Sequence, residues 1–268
     1  MRRLIRRLVL SGALALAGCS ITATDEDGMA REERADVREP SEAPSEVLSG
    51  ARRVATVIGH SVEGRPIVAR TVGRGGGPRV YLIGLIHGDE PEGVAYIETL
   101  TSRLADADAT IRVLMSMNPD GEALNRRTNV RGVDLNRNWP TSNFEASRSH
   151  GDVPLSEPET NAALDDMEAF GPDLVVVFHS TSRGPFVNHD GPNGSRCALI
   201  FAQAARRVDA SWTVVSDIGY PTPGSLGSWG IEQRLPILTI EFVRGMDAFD
   251  AMLAAEAGID AVIRAWSS

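Results

Sequence analysis

The sequence contains no lysine, no long apolar run and few cysteines, and these absences narrow the classes to which it can belong. All 27 basic residues are arginines and the net charge is −9, without the basic patch of a nucleic-acid-binding protein. No apolar run reaches the roughly 18–20 residues of an ordinary membrane span. Two cysteines do not suggest a disulfide framework. What remains is a chain of 268 residues, long enough for one sizeable α/β domain.

The first residues have the pattern of a secretory signal peptide. Four arginines within residues 1–7 precede an almost wholly apolar stretch over residues 8–18, which is too short to span a membrane comfortably. The stretch ends in Leu16-Ala17-Gly18-Cys19, which resembles the lipobox of bacterial lipoproteins. This resemblance implies a signal peptide over residues 1–18 and a lipidated Cys19 at the mature N-terminus. The alternative is an ordinary signal peptide with a coincidental cysteine.

Residues 19–50 are predicted to form the lipidated N-terminus and a disordered tether. They are rich in Asp, Glu, Arg, Ser and Pro and bury too little apolar surface to offset the entropy of ordering. We therefore expect an exported, membrane-anchored protein that faces the periplasm or cell wall, with its folded domain over residues 51–268. Cys197 lies in an apolar run, which predicts a buried, inert thiol.

Within the domain, short apolar runs alternate with helical patterns. Near-continuous apolar runs suit strands that are covered on both faces, and four are predicted: residues 80–86, 111–117, 174–178 and 237–242. Four helices are predicted: residues 92–104, a helix from residue 156, residues 195–208 and residues 246–266. Ser156 is the expected N-cap of the second helix, with Glu159 completing a capping box. The pattern predicts a single α/β domain with a mixed, mostly parallel central sheet and helices on both faces.

Ligand sites in such folds lie beyond the carboxyl ends of the strands, and two histidines and a glutamate fall there. His87 and Glu90 follow the first predicted strand on a tight turn, although a His-x-x-Glu match alone is common by chance. His179 follows the third predicted strand, where a lone histidine is usually a hydrogen-bonded framework residue. Two histidines and one glutamate together make a set that catalytic zinc sites use, with one position open for water. The sequence therefore predicts one Zn²⁺ at these residues.

Glu241 lies near the end of the last predicted strand, among apolar residues. An unpaired ionisable group there costs several kcal/mol, so it needs an arginine partner, a metal or a catalytic role. As a general base, Glu241 would take a proton from an attacking water and pass it to a leaving nitrogen.

Several motifs, in order along the domain, resemble the zinc metallocarboxypeptidase superfamily. They are His87-x-x-Glu90, Gly132-Val133-Asp134-Leu135-Asn136-Arg137-Asn138-Trp139, His179-Ser180 and Thr239-x-Glu241, preceded by a stretch at residues 59–67. Three stretches of the sequence resemble one branch of this superfamily, the murein peptide amidases. They are residues 87–93, 118–121 and 219–229. Members of that branch cleave the γ-D-glutamyl–meso-diaminopimelate bond in peptidoglycan peptides.

The resemblance implies a catalytic role for two residues. Glu241 corresponds to the general acid/base of the family. Arg126 would polarise the scissile carbonyl and stabilise the oxyanion, and the adjacent Arg127 is the alternative for this role.

The resemblance also implies a set of substrate-binding residues. Asn136 and Arg137 would hold a substrate carboxylate, a task that suits the bidentate guanidinium group. Arg65 would contact a more distant part of the substrate. Tyr220 best matches the mobile tyrosine of the family, although the prolines after it shift its spacing.

The expected function is thus that of a zinc-dependent peptidase or amidase acting on a peptidoglycan peptide. Three alternatives stay open. The first is a conventional metallocarboxypeptidase that releases C-terminal amino acids. The second is a deacylase of the succinylglutamate desuccinylase or aspartoacylase group, against which the segments at residues 126–138 and 220–229 argue. The third is a catalytically dead, peptidoglycan-binding lipoprotein, which the presence of all three ligands and Glu241 opposes.

Overall fold

In the computed structural model, which describes residues 55–266, eight strands form a single sheet. The strands are β1 (Ala55–His60), β2 (Pro66–Val72), β3 (Arg79–Ile83), β4 (Thr110–Leu114), β5 (Leu174–Thr181), β6 (Phe186–Asp190), β7 (Thr213–Val215) and β8 (Ile237–Val243). Their order is β1-β2-β4-β3-β5-β8-β6-β7. Neighbours among β4, β3, β5 and β8 are parallel, whereas β2 and β6 pair antiparallel with the two ends of this central group. The carboxyl ends of the four central strands therefore meet at one edge of the sheet.

Six α-helices lie within the part of the chain that the structure describes, and five of them pack on the two faces of the sheet. They are α1 (Ile97–Arg103), α2 (Pro119–Ala123), α3 (Pro158–Phe170), α4 (Gly194–Ala205), α5 (Leu226–Gln233) and α6 (Ala248–Trp266). Helices α1, α4 and α6 contribute to one buried core, and α3 and α5 contribute to the other. The sequence of β3 is nearly all apolar because the strand is buried on both faces. Val80 and Leu82 belong to the first core, and Tyr81 and Ile83 belong to the second. The predicted mixed sheet with helices on both faces is confirmed.

Several local predictions differ from the structure. The strand predicted over residues 80–86 ends at Ile83, and Gly84 follows it at a point where a Cβ atom would lie 2.5 Å from the carbonyl oxygen of Met115. The predicted capping box is wrong: the N-cap of α3 is Glu157, without a side-chain capping bond, and the Ser156 hydroxyl donates to the Glu157 carboxylate. The sequence pattern does not predict β1, β2, β6, β7 or α5. Cys197 is buried in α4, as predicted.

The predicted signal peptide, the lipidated Cys19 and the tether up to residue 50 lie outside the described residues. Within residues 55–266, we find no helix that combines the length and apolar character needed to cross a membrane.

A charged cluster joins the sheet to α3. Arg112 of β4 donates two hydrogen bonds to Asp166 of α3, at 3.0 Å from Nε and 2.6 Å from Nη2. The Tyr81 hydroxyl of β3 donates to the same carboxylate at 2.9 Å. Burial, followed by the charge of Asp166, raises the pKa of Tyr81 well above its ordinary value. The carboxylate is thus the acceptor for two nearly buried donors.

Replacing Asp166 by alanine is expected to lower the free energy of unfolding by about 3–5 kcal/mol, because the nearly buried Arg112 loses its counter-charge. Denaturant unfolding monitored by circular dichroism measures this change. Asp165→Ala is the matched control, since Asp165 is exposed on the same helix, and it should change stability by less than about 0.5 kcal/mol. Equal losses in the two variants would contradict the prediction.

Candidate active site

The residues predicted to bind zinc converge at the carboxyl ends of β3 and β5. His87 and Glu90 lie in the turn that follows β3, and His179 lies near the end of β5. Glu241 of β8 is in parallel register with His179, so both side chains reach the same edge of the sheet. The parallel arrangement of three neighbouring strands therefore brings together residues that are far apart in the sequence, with His87 and Glu241 separated by 154 positions.

The turn from His87 to Glu90 is fixed by its contact with α2. A Cβ atom on Gly88 would lie 2.0 Å from the carbonyl carbon of Gly121, so only glycine allows the two backbones to approach this closely. Asn118 caps α2 by accepting the Gly121 N–H at 2.9 Å, and its amide donates to the carbonyl of Ile86 at 3.1 Å. The turn that carries His87 and Glu90 is thus held by a close backbone approach and by the side chain of Asn118.

The three candidate ligands are arranged around one point. The Nδ1 atoms of His87 and His179 are 3.0 Å apart, and the two oxygens of Glu90 lie 3.0 Å and 2.8 Å from them. All three side chains are buried, with exposed fractions of 2–5%. Donor atoms bound at about 2.0–2.1 Å to one tetrahedral zinc ion lie roughly 3.3 Å apart. The donor set and its spacing therefore fit zinc.

The His87 ring is held through its other nitrogen, since the Asp134 carboxylate lies 3.0 Å from His87 Nε2 and accepts its N–H. Such an outer contact fixes the orientation and tautomer of a metal-binding histidine. The side-chain nitrogen of Asn136 lies 3.4 Å from His179 Nε2, but both nitrogens are donors when Nδ1 of His179 is the metal ligand, so this contact does not hold that ring. Burial alone would raise the pKa of Asp134, but the hydrogen bond with His87 and the charges of His87 and Arg127 hold it well below its ordinary value. Asp134 therefore stays an anion beside the ring.

Glu90 is also held as an anion. Burial alone would raise the pKa of its carboxyl group, but the charge of His179 and hydrogen bonds from His179 and His87 hold it far below its ordinary value. The Ser180 N–H donates to Glu90 at 3.2 Å as well.

Glu241 lines the same cavity as the three candidate ligands. Burial raises the pKa of its carboxyl group, and the charge of His179 only partly opposes this. A carboxylate with a raised pKa suits a group that must both accept and return a proton.

The two adjacent arginines differ in what they contact. Arg127 donates to Glu90 Oε1 at 3.1 Å and to Asp134 Oδ2 at 3.0 Å, and it lines the cavity. The guanidinium of Arg126 donates to Thr128 at 3.1 Å instead, and Arg126 is not among the described residues that line the cavity. The role of Arg126 at the scissile carbonyl stays a prediction, and the placement of the two side chains favours Arg127, the alternative from the sequence.

Three of the four predicted substrate-binding residues line the cavity, which has a volume of about 260 Å³: Asn136, Arg137 and Tyr220. Asn136 is fixed there because its side-chain oxygen accepts the Leu226 N–H at 2.9 Å. Arg65 does not line the cavity, since its guanidinium pairs with the fully buried Asp120.

Sequence reasoning missed two carboxylates near this site. Asp134 lies inside the motif at residues 132–139, shortly before the predicted site residues Asn136 and Arg137. This position was the signal that could have identified it. Asp190 of β6 lines the cavity, and it had no clear signal because β6 is not a continuous apolar run.

Replacing Arg127 by methionine is expected to lower kcat by about 10²–10³-fold, as the loss of one oxyanion donor does in other enzymes. Arg126→Met is the matched control and should leave kcat within about twofold. Because Arg127 also contacts Glu90 and Asp134, zinc content must be measured in both variants, and kcat compared at full zinc occupancy. A larger loss in Arg126→Met would overturn the placement.

Known proteins resemble this chain in sequence and in fold. The model of the zinc carboxypeptidase family matches residues 50–216. Murein peptide amidase A of Vibrio campbellii is 31% identical over 224 residues, which cover 78% of this chain and 85% of that protein. The corresponding protein of Escherichia coli K12 is 33% identical over 172 residues, covering 58% of this chain and 67% of that protein.

Two solved structures share the fold. The murein-tripeptide amidase MpaA from Escherichia coli O157 superposes with a TM-score of 0.62 and 29% identity, over 80% of this chain and 92% of that one. The carboxypeptidase A from Helicoverpa armigera superposes with a TM-score of 0.68 over 81% of this chain and 70% of that one, at 19% identity. The family resemblance that the motifs carried is confirmed. The chain therefore belongs to the zinc carboxypeptidase family and is a zinc metallopeptidase.

Proposed function

We propose that the protein hydrolyses the γ-D-glutamyl–meso-diaminopimelate bond of peptidoglycan peptides. The observation that carries the proposal is one cavity that holds a His-Glu-His ligand set, the partly buried carboxylate of Glu241, and Arg127 and Arg137, which suit an oxyanion and a substrate carboxylate. The similarity to murein peptide amidases over most of the chain supports this choice of bond.

His87, Glu90 and His179 are the residues that would hold one zinc ion. When bound there, zinc supplies a Lewis acid for the scissile carbonyl and lowers the pKa of an attacking water. Asp134 holds the His87 ring so that its Nδ1 atom would face the ion.

Glu241 is the proposed general base and acid. Its carboxylate takes one proton from the attacking water as the new carbon–oxygen bond forms. It returns that proton to the leaving nitrogen as the carbon–nitrogen bond breaks. The products are a D-glutamyl γ-carboxylate and the free amine of the departing residue.

Arg127 is the proposed donor to the oxyanion. Its guanidinium is already directed by Glu90 and Asp134, so little side-chain entropy is lost when the carbonyl oxygen gains charge. Arg137 and Asn136 hold the carboxylate of the departing residue, and the half-exposed Tyr220 lies where it can cover the bound substrate.

Product mass tests the proposal. Zinc-loaded enzyme incubated with L-alanyl-γ-D-glutamyl–meso-diaminopimelate is expected to release free diaminopimelate and the dipeptide. Glu241→Gln at the same zinc content is expected to lose about 10²–10⁴-fold in kcat, while Glu168→Gln, an exposed glutamate of α3, should retain full turnover. Cleavage confined to ordinary α-linked C-terminal peptides would instead identify a conventional carboxypeptidase.

We also propose that the enzyme is a membrane-anchored lipoprotein facing the cell wall, on the basis of the N-terminal sequence at residues 1–19. The full chain, expressed in a bacterium that processes lipoproteins, should fractionate with membranes and incorporate labelled fatty acid. Cys19→Ser should lose the label and leave the membrane fraction, and Cys197→Ala should keep both. Fatty-acid labelling that persists in Cys19→Ser would refute the anchor.

A further inference from the structure

Four arginines among the described residues line the active-site cavity, and the proposed function uses two of them. Arg127 is assigned to the oxyanion, and Arg137 is assigned to the carboxylate of the departing residue. The other two are Arg183, in the loop between β5 and β6, and Arg244, directly after β8. These two cations lie in the same cavity without a role in the reaction, so their charge has to be matched by protein groups, by solvent or by the substrate.

Arg183 differs from Arg244 in having no charged partner. Its backbone N–H lies 3.4 Å from the Thr181 hydroxyl, but in the part of the chain that the structure describes its guanidinium forms no hydrogen bond or ion pair. Arg244, in contrast, lies 3.5 Å from Asp89 Oδ2 and 3.7 Å from Glu90 Oε1. Acidic neighbours therefore partly neutralise Arg244, whereas the charge of Arg183 is available to a ligand in the cavity.

The loop that carries Arg183 is held against the end of β8. A Cβ atom on Gly184 would lie 2.7 Å from the carbonyl oxygen of Glu241, so the backbone of the loop approaches β8 at the residue proposed as the general base. The Arg244 N–H also donates to the Thr181 carbonyl at 3.0 Å, which joins the start of the loop to the segment after β8. These backbone contacts place Arg183 next to the reacting groups and limit the movement of its Cα atom.

Arg183 lies on the side of Glu241 that is away from the departing residue. Phe186 is opposite Glu241, and from there β6 runs back along β8 toward the first turn of α5. Asn136 accepts a hydrogen bond from the first residue of α5, so Asn136 and the adjacent Arg137 lie in that direction. Arg183 precedes Phe186, in the loop that crosses the carboxyl end of β8. Since the departing residue is bound toward α5 in the proposed function, the side of Arg183 is left for the acyl half of the substrate.

We propose that Arg183 determines specificity on the acyl side by pairing with the free α-carboxylate of the γ-linked D-glutamyl residue. This inference rests on the proposed function. In a γ-glutamyl bond the scissile carbonyl belongs to the side chain, so the α-carboxylate remains free, three carbon atoms from the scissile carbon. A guanidinium binds a carboxylate through two parallel hydrogen bonds, whereas an α-carboxamide has no charge and one acceptor oxygen. The enzyme should therefore act on peptides with a free D-glutamyl carboxylate and discriminate against those in which it is amidated.

Three substrates that differ only in the acyl residue test the proposal. All contain L-alanine and meso-diaminopimelate, joined through γ-linked D-glutamate, through γ-linked D-isoglutamine or through 4-aminobutyrate, which lacks the carboxylate. The wild-type enzyme is expected to prefer D-glutamate over both others by about 5–20-fold in kcat/KM, a value between those of an exposed ion pair and a charged hydrogen bond in a closed site. In Arg183→Gln the preference should fall below about twofold, chiefly through a higher KM for D-glutamate, and Arg183→Lys should retain most of it.

Arg74→Gln, at an exposed arginine before β3, is the matched control and should keep the wild-type preference. Equal losses on all three substrates in Arg183→Gln would show a structural role and overturn the proposal, as would a wild-type enzyme that does not distinguish them or a preference that survives in Arg183→Gln.

If no γ-D-glutamyl bond is cleaved, the proposed function fails on its own. The specificity test is then made on α-linked peptides whose acyl residue is glutamate, glutamine or 2-aminobutyrate. The side-chain carboxylate of that glutamate is also three carbon atoms from the scissile carbon, so Arg183 should produce the same preference. A failure to distinguish these peptides as well would overturn the role of Arg183.

Discussion

The carboxylate of Asp134 joins three parts of the cavity wall that come from different segments of the chain. One oxygen lies 3.0 Å from His87 Nε2 and accepts the Asn136 N–H at 2.9 Å, and the other accepts Arg127 Nε at 3.0 Å. A single charged acceptor thus orients the ring of a candidate metal ligand, the short 3₁₀ turn at Leu135–Arg137 and the guanidinium of Arg127. Bonds to a charged group in a poorly solvated site are stronger than neutral ones. The candidate metal site and Arg127 are therefore not independent features.

The sheet explains why the central residues of the site could be predicted from the sequence. His87, His179 and Glu241 each follow or end a nearly continuous apolar run, and parallel strands present their carboxyl ends at one edge. Asp190 enters the cavity by another route. Its strand runs antiparallel to β8 and ends in three consecutive polar residues, Asn188-His189-Asp190, so no apolar run marks it.

The features that the sequence did not predict depend on the backbone dihedral angles of single residues or on side-chain contacts formed only in the folded protein. Arg126 and Arg127 lie in an irregular segment, and the preceding Asn125 has a positive φ of 47°, so no helix or strand period tells which arginine faces the cavity. Ser156 has the sequence of an N-cap, but its hydroxyl is bonded to Glu157 and receives a hydrogen bond from Asn138. A distant side chain has replaced the local capping bond there.

The balance of charge in the cavity explains why its arginines are not interchangeable. Glu90, Asp134 and Glu241 place three carboxyl groups near one point, and Arg127 is hydrogen-bonded to two of them. Arg244 forms a further ion pair with Glu90 at 3.7 Å. When these five groups are ionised, one negative charge remains, which a divalent ion would more than offset. Arg137 forms no ion pair with a described carboxylate, since its guanidinium donates to the uncharged carbonyl of Asn136 at 2.7 Å. In the proposed function it is therefore available to the carboxylate of the substrate.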